Sequence, residues 1–560
     1  MLRFLSLFLT LTACLSVPAL AATPETPLKF FSSHVDVIIR LKEPDRTLEK
    51  VTGLVNKVQP GAGDALKSQQ SAGLGALVSN PTLTGVDQTR DWYAGIYFLP
   101  DEAPVVVFAI PAIDTDDLVS AVGEMTTQVQ GKWVLYTDAE KIPEVDSSAS
   151  AETQLGAGQI ASLLSGDLNI YVNTEHVTEI YADQIDVARN RVLENLNQLR
   201  FLPSQGDIDP QVMIDMYGSL AEALFQAVDD AQTSLASLTI TDSDLVFSKQ
   251  VAFADASKTS HFLARNKPDA MADLDHLPAG AQLYYGASGA MKEFIRSSVT
   301  MTFGMMNDKS LSEKIEQSLK LLDPVTYGAT VASLAISQTS ESPFQAVMIV
   351  NASPIDDVRK FSRTVAEAVG TLENNSISQT SSLKVDAETY GSHQVDLVEV
   401  KQEIKPDAPT GELQRKLHNL MFGGDTMQTR TAYLDKQYVS TVGGGQKPMK
   451  DFLAGLESGK SSSLKKFREP LMKEANFLMF MDLPRFSGDF LSLAAERMEG
   501  FPIPLNAQMI SSLNLKPSYV GIAVGSTPNT ARLELRLPVE QIIGVSKIGV
   551  LIGTTMRGGL

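Results

Sequence analysis

Cysteine is nearly absent from this chain of 560 residues, because its one Cys, Cys14, lies in an apolar stretch near the N-terminus. If that stretch is removed by processing, the remaining chain has no thiol. Disulfides, thiol nucleophiles, iron–sulfur clusters and zinc sites with Cys ligands are then excluded. We therefore expect packing and hydrogen bonds alone to hold the fold together.

Basic residues are scarce relative to acidic ones. The chain holds 47 Lys and Arg against 66 Asp and Glu, which gives a formal net charge of −19. Such a surface repels phosphate backbones and anionic lipid headgroups, so neither a nucleic-acid partner nor electrostatic docking on a membrane is expected. The 43% hydrophobic and 20% charged content is that of an ordinary globular protein and excludes wholesale disorder.

Long uninterrupted apolar runs are also missing after the N-terminal stretch. A membrane-spanning helix needs about 18 or more such residues. The nearest approach is the segment 542–556, which contains Lys547 and several Gly and Thr. We predict a terminal element packed on the body and no membrane span in the mature chain.

The first 21 residues predict a secretory signal peptide. Arg3 precedes an apolar run that ends at Leu15, and the small residues Ala19 and Ala21 stand three and one positions before a cleavage site at Ala22. We therefore expect an exported protein, periplasmic or at the cell surface.

A bacterial lipobox is the alternative interpretation of the same segment. Residues 11–14 read Leu-Thr-Ala-Cys, so Cys14 would be lipidated after cleavage and would anchor the protein to a membrane. The residues after Cys14 stay apolar as far as Leu20, which favours ordinary cleavage at Ala22.

A recurring order of strand, polar step and helix runs along the rest of the chain. Alternating and β-branched residues predict the strands, and Asp, Ser, Thr or Pro predict the helix starts. The opening strands are predicted at 34–42, 167–173, 281–286 and 476–482. Each unit closes with two adjacent strands, at 92–99 and 104–110, 238–249 and 251–253, 329–338 and 344–350, and 519–524 and 532–537.

This recurring order of strands and helices predicts an α+β fold of repeated units. Each unit is an antiparallel sheet flanked by long helices, and the units are arranged in two halves. Segment 266–278, with Pro268 and Pro278, is the predicted boundary between the halves. The predicted units are 27–145, 160–265, 279–458 with an insertion, and 470–553. With this leader and this recurring order of strands and helices, the chain resembles exported bacterial envelope proteins of unknown function that repeat an α+β module. The resemblance implies an α+β fold and supplies no catalytic residues.

Two long helices are predicted from apolar stripes at helical spacing, within 185–199 and 213–235. Core packing of each stripe on a sheet is the first interpretation. A lipid-binding groove between helix and sheet is the second.

Catalytic motifs are not found. Gly286-Ala-Ser288-Gly289 has the wrong spacing for a nucleophile elbow, and Ser288 is predicted to cap a helix. No two His lie close enough in sequence to form a metal-ligand pair, so no metal, cofactor or catalytic residue is predicted. The six His are His34, His176, His261, His276, His393 and His418.

A glycine-rich loop is the candidate ligand site. Gly443, Gly444, Gly445 and Lys447 follow a predicted strand and precede a predicted helix. Backbone N–H groups in such a loop can hold an anion, with the lysine assisting. Pro448 stands where a P-loop needs Ser or Thr, so a tight structural turn is the alternative.

Three functions are compatible with these features. The first is a non-enzymatic envelope protein that binds or scaffolds an unidentified envelope partner. The second is a carrier of a lipid or other apolar ligand, which needs an apolar cavity of about 300 Å³ or more. The third is a hydrolase, which needs a His and a carboxylate to meet in one cleft beside a Ser, a Thr or water.

The mature N-terminus tests the leader prediction. We expect intact-mass spectrometry of the protein purified from its envelope to give a chain that begins at Ala22, with no change of mass in a Cys14→Ala variant. A mass that carries acyl chains on Cys14 would contradict ordinary cleavage and establish the lipobox.

Overall fold

The computed structural model describes residues 25–68, 70–100, 102–145, 149–198, 210–304, 309–373, 377–405, 411–458, 464–498, 501, 503 and 505–558. The predicted leader and Cys14 lie outside the described residues. The predicted α+β class is confirmed, because helices alternate with strands that pair antiparallel throughout.

The first quarter of the chain forms one edge of the sheet. Strand β1 pairs with β2, β2 with β3, β3 with β5, and β5 with β4. The elements, after a 3₁₀ turn at Pro27–Phe30, are β1 (Val37–Leu41), α1 (Pro44–Val58), α2 (Ala62–Ser68), α3 (Gln70–Leu77), β2 (Trp92–Tyr97), β3 (Val105–Pro111), α4 (Thr115–Ala121), β4 (Thr126–Gln130) and β5 (Trp133–Thr137).

The next segment extends the sheet on the other side of β1. Here β1 also pairs with β6, β6 with β7, and β7 with β8. The elements are α5 (Ala151–Gln154), α6 (Ala157–Leu163), β6 (Leu168–Asn173), α7 (Thr174–Ile180), α8 (Ala182–Gln198), α9 (Pro210–Asp229), β7 (Ala231–Ile240), β8 (Asp244–Phe253) and α10 (Lys258–Arg265).

The predicted burial of the stripe within 213–235 was wrong. Helix α9 ends at Asp229, so the last positions of the stripe belong to β7. The main contacts of α9 are with the helices α7, α8 and α10, which leaves one apolar side of it uncovered. The exposed fractions there are 42% for Tyr217, 56% for Leu220, 61% for Leu224 and 39% for Val228.

The third segment carries the predicted insertion. Its elements are a 3₁₀ turn (Ala272–His276), β9 (Leu283–Ala287), α11 (Met291–Gly304), α12 (Lys309–Leu319), a 3₁₀ turn (Lys320–Leu322), β10 (Thr326–Ile336), β11 (Phe344–Ser353), α13 (Ile355–Val369), β12 (Thr371–Glu373), β13 (Ile377–Tyr390), β14 (His393–Ile404), α14 (Gly411–Phe422), β15 (Thr426–Tyr433), β16 (Gln437–Val442) and α15 (Lys447–Glu457).

The last segment ends in a long apolar helix. Its elements are α16 (Lys465–Arg468), β17 (Phe477–Met481), α17 (Leu483–Arg497), α18 (Ala507–Ser511), β18 (Val520–Thr527), β19 (Thr530–Pro538) and α19 (Val539–Gly558). Within the described residues, α19 alone is long and apolar enough to cross a membrane by length and composition, over Val539–Met556. Of that window, 22% is buried inside the fold.

All strands of the described residues belong to one antiparallel sheet. The pairings give the order β4-β5-β3-β2-β1-β6-β7-β8-β19-β18-β17-β9-β10-β11-β16-β15-β14-β13-β12. The order around β1 and β6 in the first half matches the order around β9 and β17 in the second. Strands β8 and β19 pair from Asp244↔Pro538 to Ala252↔Thr530 and join the two halves. The sheet is thus continuous through all four predicted units, whose boundaries stay predictions.

Alternation along the strands divides the sheet into two faces. One face carries fully buried residues such as Ile38, Tyr284 and Leu478, under the loops and short helices. The opposite face carries their sequence neighbours, such as Ile39, Tyr285 and Phe477, which are half-buried. Long helices pack on parts of this second face, which we call the helix face.

An ion pair across β8 and β19 provides a test of the junction between the halves. The Arg536 guanidinium lies 3.0 Å from Asp244 Oδ1, and the Ser243 hydroxyl donates to the same carboxylate at 2.6 Å. We expect Arg536→Met to lower the free energy of unfolding by about 2 kcal/mol, because the buried carboxylate loses its counter-charge. Urea unfolding measures the change.

The matched control for that variant is Lys249→Met, at an exposed basic residue of β8. It should change the free energy of unfolding by less than about 0.5 kcal/mol. Equal effects of the two variants would contradict the role given to the Arg536–Asp244 pair.

Candidate functional site

An apolar cavity of about 730 Å³ lies on the helix face, between the sheet and helices α10 and α11. Its volume is within the range of about 300–1,000 Å³ that is usual for ligand pockets. None of its lining residues is charged. They are Phe262, Leu263, Asn266, Tyr285, Ala287, Ser288, Ala290, Met291, Phe294, Ile295, Thr330, Met348, Val350, Tyr438, Asn476, Phe477, Val524, Gly525, Ser526 and Ala531.

The floor of the cavity follows from the register of neighbouring strands. Ala287 of β9 is paired with Thr330 on one side and with Phe477 on the other. Phe477 is in turn paired with Val524, and Thr330 with Val350. Since paired residues of an antiparallel sheet point to the same face, these five side chains form one row across the strands, apolar except for the buried Thr330 hydroxyl.

Helices α10 and α11 form the walls. Ser257 caps α10 by accepting the backbone N–H of Ser260 at 3.1 Å, and the helix then places Phe262 and Leu263 against β18 and β19. The rings of Phe262 and Phe294 are 55% and 65% exposed, so they lie at the solvent side of the cavity. The mouth is therefore between the two helices.

Helix α11 is fixed on the side away from the cavity. The Lys292 ammonium donates to the carbonyl of Asp323 at 2.8 Å, and Arg296 forms an ion pair with the Asp323 carboxylate. Ile295 packs on the core formed by helices α11, α12 and α13. These contacts occupy the cations of α11, so the wall it presents is neutral.

Neutral polar groups cluster at one end of the cavity. The Ser526 hydroxyl donates to Asn476 Oδ1 at 2.8 Å, and the Asn476 amide donates to the Asn266 carbonyl at 2.6 Å. The prediction that Ser288 caps a helix was wrong, because α11 begins at Met291. The Ser288 hydroxyl instead contacts the carbonyls of Lys267 at 3.3 Å and Ala475 at 3.1 Å.

The two tyrosines of the lining remain uncharged at neutral pH. Burial raises the pKa of Tyr285 above its usual value near 10. Burial is also the main cause that raises the pKa of Tyr438. With no acid or base in the lining, a ligand inside the cavity meets no charge there.

The predicted glycine loop lies elsewhere. Gly443, Gly444 and Gly445 all have positive φ, at 73°, 68° and 66°, and a Cβ on Gly443 would come within 2.0 Å of the Phe344 carbonyl oxygen. Lys447 forms an ion pair with Asp451, and its side chain is 81% exposed. The turn therefore requires glycine for steric reasons, and anion binding at this loop stays a prediction.

A second cavity, of about 610 Å³, includes part of that loop. Gly444 and Lys447 line it together with Ser333, Ala335 and Val347. Ser333 and Ala335 alternate with the helix-face positions of β10, so this cavity lies on the face opposite the apolar one.

Two His meet carboxylates that are distant in sequence, His393 with its Nε2 at 3.8 Å from Glu457 Oε1, and His176 at shorter range. His176 Nδ1 lies 2.5 Å from Asp36 Oδ1, and Asp36 Oδ2 accepts the N–H of Phe98 at 2.7 Å. Neither His176 nor Asp36 lines the two cavities described above. In the parts of the chain that the structure describes, no group of three or more His, Cys, Asp or Glu residues is placed to hold a metal.

The comparisons with known proteins leave the family open. No protein-family model matches the chain, and no curated protein is significantly similar to it. Two solved structures, crystal forms III and I of TP0453, are each 12% identical in sequence, with TM-scores of 0.22 and 0.20. They cover 49% and 51% of this chain, and 97% and 99% of their own. Similarity at these TM-scores does not define a fold family for the chain.

His418 provides a pH-dependent test of the insertion. This side chain of α14 is 9% exposed, and burial lowers its pKa below the usual 6.5. The unfolded chain then binds a proton that the folded chain does not, so folding stability falls as the pH drops from about 6.5 towards the folded-state pKa. We expect urea unfolding to show a smaller loss of stability between pH 7.5 and about 5.5 in His418→Phe than in the wild type.

The control for that test is His261→Gln, at an exposed position of α10. It should keep the wild-type pH dependence. The same pH dependence in His418→Phe and in the wild type would contradict burial of a neutral imidazole.

Proposed function

We propose that this protein is a non-enzymatic binding protein of the cell envelope that carries an apolar or amphiphilic small molecule, of the lipid class, in the cavity between α10, α11 and the sheet. The observation that carries the proposal is the combination of about 730 Å³ of space with a lining that contains no charged residue. Such a lining favours hydrocarbon over sugars, nucleotides or peptides, which need charged or numerous polar partners.

The energetics of the lining support occupancy by an apolar chain. Phe262 and Phe294 are more than half exposed, and Ala287, Phe477 and Val524 of the floor are half-buried, whereas Thr330 and Val350 are already buried. Removing apolar surface from water contributes about 25 cal/mol per Å². The amide of Asn476 and the hydroxyl of Ser526 already have hydrogen-bond partners within the protein. An apolar ligand that covers them therefore breaks no hydrogen bond.

The predicted leader adds support from location. Export to an envelope brings the protein beside membranes, where lipids and their fragments are found. The acidic composition disfavours lasting electrostatic attachment to anionic bilayers, which suits a carrier that must leave the membrane again.

A scaffolding role is the second candidate, and the α9 surface favours it. Tyr217, Leu220, Leu224 and Val228 form an uncovered apolar stripe of the kind that protein partners cover. The hydrolase alternative gains less support. The His176–Asp36 pair lies outside both cavities, and His276 and Asp451, which both line the 610 Å³ cavity, are paired with Asp273 and Lys447 and not with each other.

Filling the cavity tests the proposal. We expect Ala287→Phe to weaken binding of the neutral fluorescent probe N-phenyl-1-naphthylamine by at least about tenfold, because the added ring occupies the floor between Thr330 and Phe477. Fluorescence titration measures the affinity, and circular dichroism checks that the variant is folded.

The matched control is Ala335→Phe, which places the same ring in the 610 Å³ cavity on the opposite face. It should leave the affinity for the probe unchanged. A loss in Ala335→Phe with none in Ala287→Phe would move the site to the other cavity. Failure of the wild-type protein to bind the probe, together with a ligand-free native mass from its own envelope, would leave scaffolding as the better function.

A further inference from the structure

The rim of the apolar cavity carries a local run of positive charge. Between Asp255 and Asp269 the sequence contains Lys258, Arg265 and Lys267 with no acid. In a chain with a net charge of −19 this is a local excess of bases on α10 and its C-terminal extension, although segment 458–468, which does not line the cavity, holds four bases without an acid. The same segment supplies three cavity-lining residues, Phe262, Leu263 and Asn266.

The charge of Lys258 interacts with the Asp230 carboxylate, and the other two cations have no ion-pair partner among the described residues. Among the described residues, no carboxylate lies within 4.0 Å of the charged groups of Lys258, Arg265 or Lys267. Lys258 donates to the neutral amide of Gln226 at 3.1 Å, and Arg265 donates to the carbonyl of His261 at 3.2 Å. By contrast, Arg296 on the opposite wall has its carboxylate partner in Asp323.

Helix capping accounts for only part of this run. A cation at the C-terminus of a helix interacts favourably with the helix dipole, which explains Arg265. Lys258 stands in the first turn, where the dipole disfavours a cation, and Lys267 lies beyond the helix. The dipole therefore leaves Lys267 without an explanation, whereas Lys258 has Asp230 as an electrostatic partner.

The position of Arg265 and Lys267 relative to the cavity is set by contacts. They flank Asn266 in sequence, and Asn266 lines the polar end of the cavity. The Lys267 carbonyl accepts the hydroxyl of Ser288, another lining residue, at 3.3 Å. The backbone that carries these two cations is therefore part of the cavity rim.

We propose that the ligand is an anionic single-chain amphiphile, whose tail occupies the apolar cavity and whose carboxylate or phosphate head is bound at the rim by Arg265 and Lys267. This inference rests on the proposed function and adds the chemical class of the ligand to it. The uncharged lining accepts the tail, and the two unneutralised cations attract the head.

The test compares amphiphiles of equal tail length. Dodecanoate, dodecyl phosphate and dodecanol each displace N-phenyl-1-naphthylamine from the full-length mature protein in a fluorescence competition. We expect both anions to bind at least about fivefold more tightly than dodecanol at low salt, and the difference to shrink as sodium chloride is added. A preference between the two anions identifies a fatty-acid head or a phosphate head.

Charge removal at the rim completes the test. Arg265→Gln combined with Lys267→Gln should abolish the preference for the anions and leave dodecanol binding as it is. Lys132→Gln combined with Lys516→Gln makes the same change in net charge at two exposed lysines outside the lining, and should keep the preference.

Two outcomes separate this inference from the proposed function. If dodecanol binds as tightly as the anions, or the rim double variant keeps the preference, the anionic ligand class is wrong and the cavity function stands. If neither the probe nor any of the three amphiphiles binds to the folded protein, both proposals are wrong.

Discussion

The antiparallel pairing of β8 with β19 is the constraint on which the rest of the structure depends. It joins strands that are almost 300 positions apart in the chain and turns two half-sheets into one. It also determines where α10 lies, because α10 follows β8 directly and therefore rests over β18 and β19 of the other half. One wall of the apolar cavity thus belongs to the first half of the chain, and its floor to the second. Without this ladder the floor would have no wall on that side.

The two faces of the sheet have different physical roles. One face is filled by large buried side chains such as Tyr284, Phe480 and Trp133, and this packing supplies most of the hydrophobic stabilisation that a chain without disulfides needs. The helix face is packed only where helices cover it. Between α10 and α11, Ala287, Phe477 and Val524 of the floor are only half-buried, which an isolated stable domain does not require. A ligand that covers this surface gains the free energy of removing its apolar area from water.

Local patterns made the strands predictable and left the cavity hidden. The four opening strands and three of the four closing pairs alternate in hydrophobicity, so their positions could be read from the sequence. The closing pair of the second unit was predicted wrongly at 238–249 and 251–253, because its strands are Ala231–Ile240 and Asp244–Phe253 and the turn lies inside the predicted first strand. The cavity depends on the register that aligns Ala287 with Thr330 and Phe477, and no local pattern encodes a pairing between residues so far apart. The prediction that Ser288 caps a helix failed for the same reason, since its hydrogen-bond partners Lys267 and Ala475 come from other segments of the chain. The predicted burial of the α9 stripe failed because apolar periodicity indicates that a helix has an apolar face, but does not indicate which element covers that face.

The glycine loop and the apolar cavity cannot serve one ligand. Gly444 and Lys447 line a cavity on the face opposite Tyr285 and Ala287, so the sheet itself separates the two. Side chains fill both faces of a sheet, so the sheet separates a head group at the loop from the apolar cavity. The basic rim at Arg265 and Lys267 lies on the same face as the cavity, next to residues that line it. An amphiphile therefore finds its counter-charges at the rim, and any anion at the glycine loop would be a separate ligand.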